Sequence, residues 1–332
     1  MSDDAVPSSS PAPESAPEPV AQPKSKPPKA PAKAKTKAPA KAPAIRRPDA
    51  VTQFVFVLLR RIVIFFKVPS QCWLQLALIL AFPLLVVLFV WNGLPQTQNM
   101  SMTSGNDMLT QLKEAAGYTE EAARIGGLVS GLVMIQVVLL GLMGSNNGAR
   151  EVAGERLLFE KEKLAGLRPG SYLLAKSTFV FTLAFVQSVW MTIFVYFVGQ
   201  FPGDLLSQFV SLFLTNAAIS SVCLAISCWA PTAEQASMIS IYLVGFQLPL
   251  SGAVLALPEP LGSMVRPFIA SYWGWSSYLQ TIQDTRFYDM VKAVAQTPLS
   301  SSSLCWWMLL GHIAVGQIFA WLGCVRSRWS DG

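Results

Sequence analysis

A single histidine, His312, stands in 332 residues, and the five cysteines (Cys72, Cys223, Cys228, Cys305, Cys324) are scattered without Cys-x-x-Cys spacing. Zinc ribbons, dithiol redox pairs and disulfide frameworks need paired or clustered ligands, so no metal site is implied, and the cysteines read as small buried hydrophobes. There is no His-Glu-x-x-His, no carboxylate pair set to face another across apolar runs, and no serine near His312 with the makings of a dyad, which leaves no catalytic group to name. His312 reads as a helix-packing hydrogen-bonder. The Gly-x-x-x-x-Gly-Lys-Ser/Thr phosphate loop is also missing, so the chain is not expected to hydrolyse ATP by that route. Charge is scarce, at 13% against 52% hydrophobic residues, and it nearly vanishes inside the long apolar runs. Proton- or sodium-coupled transport, which relies on buried carboxylates, is disfavoured for that reason.

What the sequence does have is apolar runs of about 20 residues, the length a helix needs to cross roughly 30 Å of hydrocarbon. Lipid offers the backbone no hydrogen-bond partners, so the runs should be helices. They predict an all-α polytopic membrane protein with six transmembrane helices, at about 71–91, 124–145, 172–199, 205–229, 236–257 and 304–324. Trp73 and Trp91 mark the two ends of the first, and Pro83 should kink it. Residues 92–123 read as a polar loop with at most a short helix. Gly127 and Gly131 have the small-xxx-small spacing that lets helices approach closely. The segment 258–303 is a longer, aromatic connection.

Ahead of the first run, residues 51–67 are apolar but interrupted by Arg60 and Arg61. Gln53, Arg60 and Lys67 recur every seven residues, a polar stripe with Val, Ile and Phe opposite, as in an amphipathic helix lying in the membrane interface. Pro69 ends it. Before that, residues 1–49 form a Lys-Pro-Ala tail with nine of the 25 Lys and Arg and almost no aliphatic bulk. Such a segment is expected to be disordered, and it lacks the apolar stretch of a signal peptide. A solvated cytoplasmic tail near anionic lipid fits it better than a nucleic-acid arm, despite the net charge of +6. The expected domains are thus the tail, 1–49, and a membrane domain, 50–326. Positive residues gather in the tail and interfacial helix, in 146–176 and after 325. Only Lys113, Arg124, Arg266, Arg286 and Lys292 fall on the other face. The positive-inside rule therefore places both termini and the 146–171 loop in the cytoplasm, in a multi-pass protein of the cell (inner or plasma) membrane.

The dense charged block Glu151 to Lys176 is the informative segment. Glu155, Arg156, Phe159, Glu160 and Lys163 sit three or four apart, a helical arrangement that permits pairs such as Arg156 with Glu160 and leaves Leu157, Leu158 and Phe159 for a partner. A loop that only sets topology fits the same charges equally well. Among the amides and hydroxyls inside the runs, Ser130, Gln136, Gln187, Asn216, Ser240 and Gln247 read first as interhelical hydrogen-bonders.

The string GERLLFEKEKLAGLRPGSYLLAKS, residues 154–177, resembles the first cytoplasmic loop of membrane domains in the G (White) subfamily of ATP-binding cassette transporters, within the type-2 exporter permease family. The matching residues are Glu155, Arg156, Phe159, Glu160, Glu162, Gly166, Tyr172, Ala175 and Lys176, and the layout is similar over about 51–325. The resemblance implies a cytoplasmic coupling helix around 152–166, with Glu155, Arg156, Phe159, Glu160, Lys161, Glu162 and Gly166 meeting an ATPase. Gln53, Arg60 and Arg61 would lie on the connecting helix beside it. It implies a substrate cavity between the second and fifth spans of two protomers, which makes Gln136, Phe246 and Gln247 candidates, for a lipidic or amphipathic substrate. In that subfamily the ATPase domain is fused ahead of the membrane domain, whereas here only the tail precedes it. The expected partners are therefore a separate nucleotide-binding ATPase subunit, which would hold ATP and Mg, a second membrane subunit in a homo- or heterodimer, and the lipid bilayer, with no nucleic acid. This chain itself would bind no cofactor. Two other readings are a non-transporting anchor that recruits soluble proteins through the basic tail, and a lipid-modifying enzyme, which the missing catalytic groups disfavour.

Overall fold

The computed structural model describes residues 48–89, 94, 108–253 and 257–326. The chain divides into two units, 1–46 and 47–332; the first, which holds the basic tail, lies outside the described residues, as does Trp91. Among the described residues the second unit is built of helices: α1 (Ala50–Lys67), α2 (Pro69–Leu88), α3 (Met108–Gly148), α4 (Arg156–Leu164), α5 (Pro169–Gly199), α6 (Leu205–Trp229), α7 (Ala233–Leu250), α8 (Glu259–Val265), α9 (Ala270–Gln280), α10 (Arg286–Val294) and α11 (Ser302–Val325). Short 3-10 turns precede α4 and follow α8. The boundaries follow local chemistry. Pro69 and Pro169 open α2 and α5 at positions where a missing N–H costs nothing. Asp204 caps α6 by accepting from the Ser207 N–H at 2.9 Å.

Five helices, α2, α3, α5, α6 and α11, are long and apolar enough to cross a membrane. The all-α polytopic architecture is therefore as expected. The fifth run in order, expected at 236–257, is the 18-residue helix α7, which carries Glu234, Gln235, Gln247 and Pro249 and is not among the five. Helix α2 continues through Pro83. The expected loop over 92–123 is corrected in its second half: α3 starts at Met108 and runs 41 residues, about 60 Å at 1.5 Å per residue, well beyond its apolar stretch.

Helix α6 forms the axis of the bundle. Its buried residues are mostly small, among them Ala217, Ala218, Ser220, Ser221 and Cys223, and α3, α5, α9 and α11 all pack on it. Helix α9 is enclosed along almost its whole length, from Ala270 to Leu279. It fits only because Gly274 meets Thr215 of α6 without a side chain: a Cβ there would fall 2.2 Å from the Thr215 Oγ1. Its Tyr272, Trp275 and Tyr278 supply the largest fully buried side chains on that side of the molecule.

The close approaches of α3 are not made by the expected pair. Gly127 and Gly131 face open space, while Gly144 and Gly148 press against Asn216 and Ser220 of α6, and Gly126 lies under the Met290 carbonyl of α10. The small-xxx-small spacing is thus used, but one helical face away from the one predicted. Adjacent glycines should then respond oppositely. Gly126→Ala, whose Cβ would sit 2.4 Å from the Met290 carbonyl oxygen, should cost about 1–3 kcal/mol, and Gly127→Ala nothing. Thermal unfolding in detergent, followed by the unmasking of the buried free thiols Cys223, Cys228, Cys305 and Cys324, would read both; equal melting of the two variants would contradict the packing.

Candidate functional site

Helix α1 turns Gln53 inward, with Arg60 and Arg61 half-buried, while Lys67 at its end stays exposed. Val51, Phe56, Leu59, Val63 and Phe66 face outward and Gln53 is buried, the inverse of a water-soluble amphipathic helix and the orientation a lipid-facing one needs. Gln53 uses both ends of its amide to hold the turn after α4: its Nε2 donates to the Gly166 carbonyl at 3.3 Å, and its Oε1 accepts from the Arg168 N–H at 2.8 Å. Gly166 is required in that turn, since its φ of 112° lies in the left-handed region and the turn folds back through the Leu167 N–H to the Glu162 carbonyl at 2.9 Å.

Two turns further along α1, Arg60 and Arg61 enter a charge cluster at the junction of α1, α4 and α5. Arg61 grips both oxygens of Glu151, with Nη2 to Oε2 at 2.8 Å, and its guanidinium lies 4.4 Å over the Phe179 ring. Lys176 of α5, only 1% exposed, reaches Glu151 at 3.0 Å and Glu155 at 2.9 Å. Arg60 pairs with Glu162 and lies 3.8 Å from Glu155. Three cations meet three carboxylates, so burial leaves no net charge uncompensated. Burial alone would lower the Arg61 pKa; the Glu151 carboxylate bonded to it overrides that, and the net shift is upward.

Helix α4 is tied to the bundle by further contacts. Phe159 is 3% exposed and stacks on Tyr172 of α5 with ring centroids 4.2 Å apart. Arg156 donates to the Ser227 and Cys228 carbonyls at the end of α6, both at 2.9 Å. Lys163 donates to the Cys324 and Val325 carbonyls at the end of α11 at 2.9 and 3.0 Å, where a cation also meets the negative helix terminus. Glu160 is buried, 4.0 Å from Lys163. The expected partner face is therefore corrected. Phe159 points inward, and the apolar side chains left outward are Leu157, Leu158 and Leu164, with Lys161 beside them.

Above the charges lies a buried amide cluster. Gln75 of α2 donates to Asn147 of α3 at 2.7 Å, Asn147 to Gln187 of α5 at 2.9 Å, and Gln187 back to Gln75 at 3.0 Å. Asn216 of α6 joins through Gln187 at 3.2 Å. Gln187 and Asn216 were expected to bond between helices; Gln75 and Asn147 were missed, because they sit at the ends of apolar runs where sequence gives no hint of inward direction. The cavity candidates do not converge within this chain. Gln136 is enclosed in α3, and Gln247 accepts from the Ser271 N–H at 2.9 Å and the Ser271 hydroxyl at 2.7 Å. Phe246 faces away from the fold, 62% exposed. His312 contacts the Met308 carbonyl at 2.8 Å, one turn back on its own helix, not across to another.

Comparison with known proteins gives the arrangement a context. The family described as ABC-2 type transporter matches residues 52–284. The chain is similar to ABC transporter ATP-binding/permease protein Rv1747 of Mycobacterium tuberculosis, 29% identical over 215 residues, 59% of this chain and 24% of that protein. It is also similar to ABC transporter G family member 24 of Dictyostelium discoideum, 33% identical over 126 residues, 36% of this chain and 11% of that protein. The chain thus spans a quarter or less of the length of these relatives.

Three substitutions test the site's energetics. Glu151→Ala strips two buried cations of their shared carboxylate and should cost about 3–5 kcal/mol, whereas Lys161→Ala on the outward face should fall within about 0.5 kcal/mol of wild type. Gln187→Leu leaves Asn147 and Gln75 short of partners and should cost about 1–3 kcal/mol. Thermal unfolding of the detergent-solubilised chain reads all three, and a Glu151→Ala variant as stable as wild type would refute the cluster's structural role.

Proposed function

The chain belongs to the ABC-2 type transporter family, and from that premise we propose that it is the transmembrane permease subunit of an ATP-binding cassette exporter. The observation that carries this reading is the fastening of α4. Its outward face presents Leu157, Leu158 and Leu164, while its inward face is bolted to α1, α5, α6 and α11 by separate contacts. A helix of nine residues with so many attachments cannot move alone. A push on Leu157 and Leu158 passes through Phe159 and Tyr172 to α5, through Arg156 to α6, and through Lys163 to α11.

In this proposal the push comes from a separate nucleotide-binding ATPase subunit, which holds ATP and Mg; these 332 residues contain no phosphate loop. The name of the Mycobacterium relative joins ATP-binding to permease, and the Dictyostelium match supports a likeness to the G subfamily. In this reading α7 is the fifth of six crossings, so that both termini and α4 would lie in the cytoplasm of a cell-membrane protein; the distribution of Lys and Arg supports it. Two membrane subunits, alike or different, would meet along α3 and α7. There Gly127 and Gly131 face open space and Phe246 projects outward, and a lipidic or amphipathic substrate would pass between them. Of the three cavity candidates only Phe246 lies on that outward surface; Gln136 and Gln247 would act from behind it.

The test is reconstitution with candidate ATPases, measuring binding and ATP turnover. Leu157→Asp combined with Leu158→Asp should weaken binding about tenfold or more and lower turnover while leaving the melting temperature in place, because both side chains are exposed. Phe159→Ala should reduce turnover and stability together. Unchanged binding and turnover in the double variant would rule out α4 as the point of coupling.

A further inference from the structure

Helices α6 and α11 run side by side with their backbones in close approach. Gly316 lies against Ser221, where a Cβ would fall 2.9 Å from the serine Cβ, and two turns later Gly323 lies against Cys228, where a Cβ would fall 2.8 Å from the cysteine Cβ. The glycines remove the side chains that would hold the helices apart. The next residue, Cys324, then meets Cys228 directly: its thiol donates to the Cys228 sulfur at 3.6 Å. Both cysteines are free thiols, each 1% exposed, and each is the second-last residue of its helix.

Bonded sulfurs stand about 2.0 Å apart. Closing the pair by about 1.5 Å is a movement of two side chains and not of two helices, because the backbones are already close. The pair is also near the protein surface, beside exposed Trp229, Val325 and Arg326, so a small uncharged oxidant has one layer of side chains to cross. Its position in the fold is specific. Arg156 of α4 donates to the Cys228 carbonyl and Lys163 of α4 to the Cys324 carbonyl, both at 2.9 Å. The two thiols therefore mark the points at which α4 grips α6 and α11.

We infer that Cys228 and Cys324 are a redox-modification site, oxidised by a hydroperoxide to a reversible disulfide that staples the ends of α6 and α11. One thiolate attacks a peroxide oxygen, the O–O bond breaks, and the sulfur becomes a sulfenic acid while the departing hydroxide takes up the thiol's proton and leaves as water. The second thiolate attacks that sulfur, the S–O bond breaks, and a second water leaves in the same way. Two thiols lose two electrons and one hydrogen peroxide gains them; a dithiol reductant returns the pair. A reversible disulfide of this kind is the regulatory sort found in reducing compartments. Its consequence rests on the reading of α4 as the point of coupling: a push that has to part the two helix ends is arrested by the staple.

The full chain in neutral detergent is treated with hydrogen peroxide, quenched by alkylation under denaturing conditions, digested and mapped by mass spectrometry. The expected result is a linked pair of peptides holding Cys228 and Cys324, released by dithiothreitol, with a higher melting temperature in the linked chain. Cys228→Ser and Cys324→Ser should each abolish the link and the rise. Wild type in which both thiols stay free, or in which either sulfur passes to sulfinic acid with no linked pair, overturns the proposal, and that result requires no variant to fold. With candidate ATPases present, peroxide should abolish ATP turnover in wild type, with recovery in dithiothreitol, and Cys228→Ser should lose this response. A linked chain that keeps full turnover overturns the arrest. The mapping uses no ATPase, so failure of the exporter reading leaves the thiol chemistry to be decided by the linked peptides alone.

Discussion

The carboxylate of Glu151 is the point on which the rest of the structure depends. It is almost fully buried, and it holds two cations from different helices, Arg61 of α1 and Lys176 of α5. Either cation alone at that depth would carry a desolvation penalty of several kcal/mol. With Glu155 and Glu162 completing the balance, the cluster converts three separate pieces of chain into one body: a helix lying along the bundle, a short helix at its charged end, and the first turns of a spanning helix. Position in sequence does not predict such a union, since Arg61 and Glu151 are 90 residues apart.

What surrounds the cluster explains why it is stable where it is. Apolar rings flank it, with Phe179 under Arg61 and Tyr172 beside Lys176, which lowers the local dielectric and strengthens the pairs. The amide ring of Gln75, Asn147 and Gln187 lies on the bundle side and satisfies its members with one another, so polar groups continue inward without an orphaned charge. The two layers bring α1 through α6 into fixed relation, and α11 is added through Lys163. A family whose members move material across membranes needs such a rigid handle if force applied outside the bilayer is to reach the helices within it.

Much of this was legible in the sequence, and the failures have a common cause. Run length picked out the five helices that are long and apolar enough to span, and the boundaries of α6 came out at 205 and 229 because turn residues punctuate both ends. The charged block and the polar stripe of α1 were visible as spacing. Direction was not. Phe159 read as partner-facing because its neighbours Leu157 and Leu158 are, yet it is the one that points to Tyr172. Gly127 and Gly131 make no close approach within this chain, where Gly144 and Gly148 do, since periodicity gives an interval but not the azimuth of a helix that is apolar all round. Gln75 and Asn147 became informative only when folding brought together residues 72 positions apart. The outward extension of α3 was read as loop because polar residues there carry no apolar stripe; Gly126 against Met290 of α10 supplies the contact that anchors its inner end.

The central claim is that α1, α4 and the start of α5 move as a single body held by Glu151. Pulsed electron resonance between spin labels at the exposed positions Val55 on α1 and Leu164 on α4, with the protein in a bilayer, measures this directly. One narrow distance distribution in the wild type, broadening in Glu151→Ala, is the predicted result. A broad or two-peaked distribution in the wild type, or one indifferent to the loss of Glu151, would contradict it.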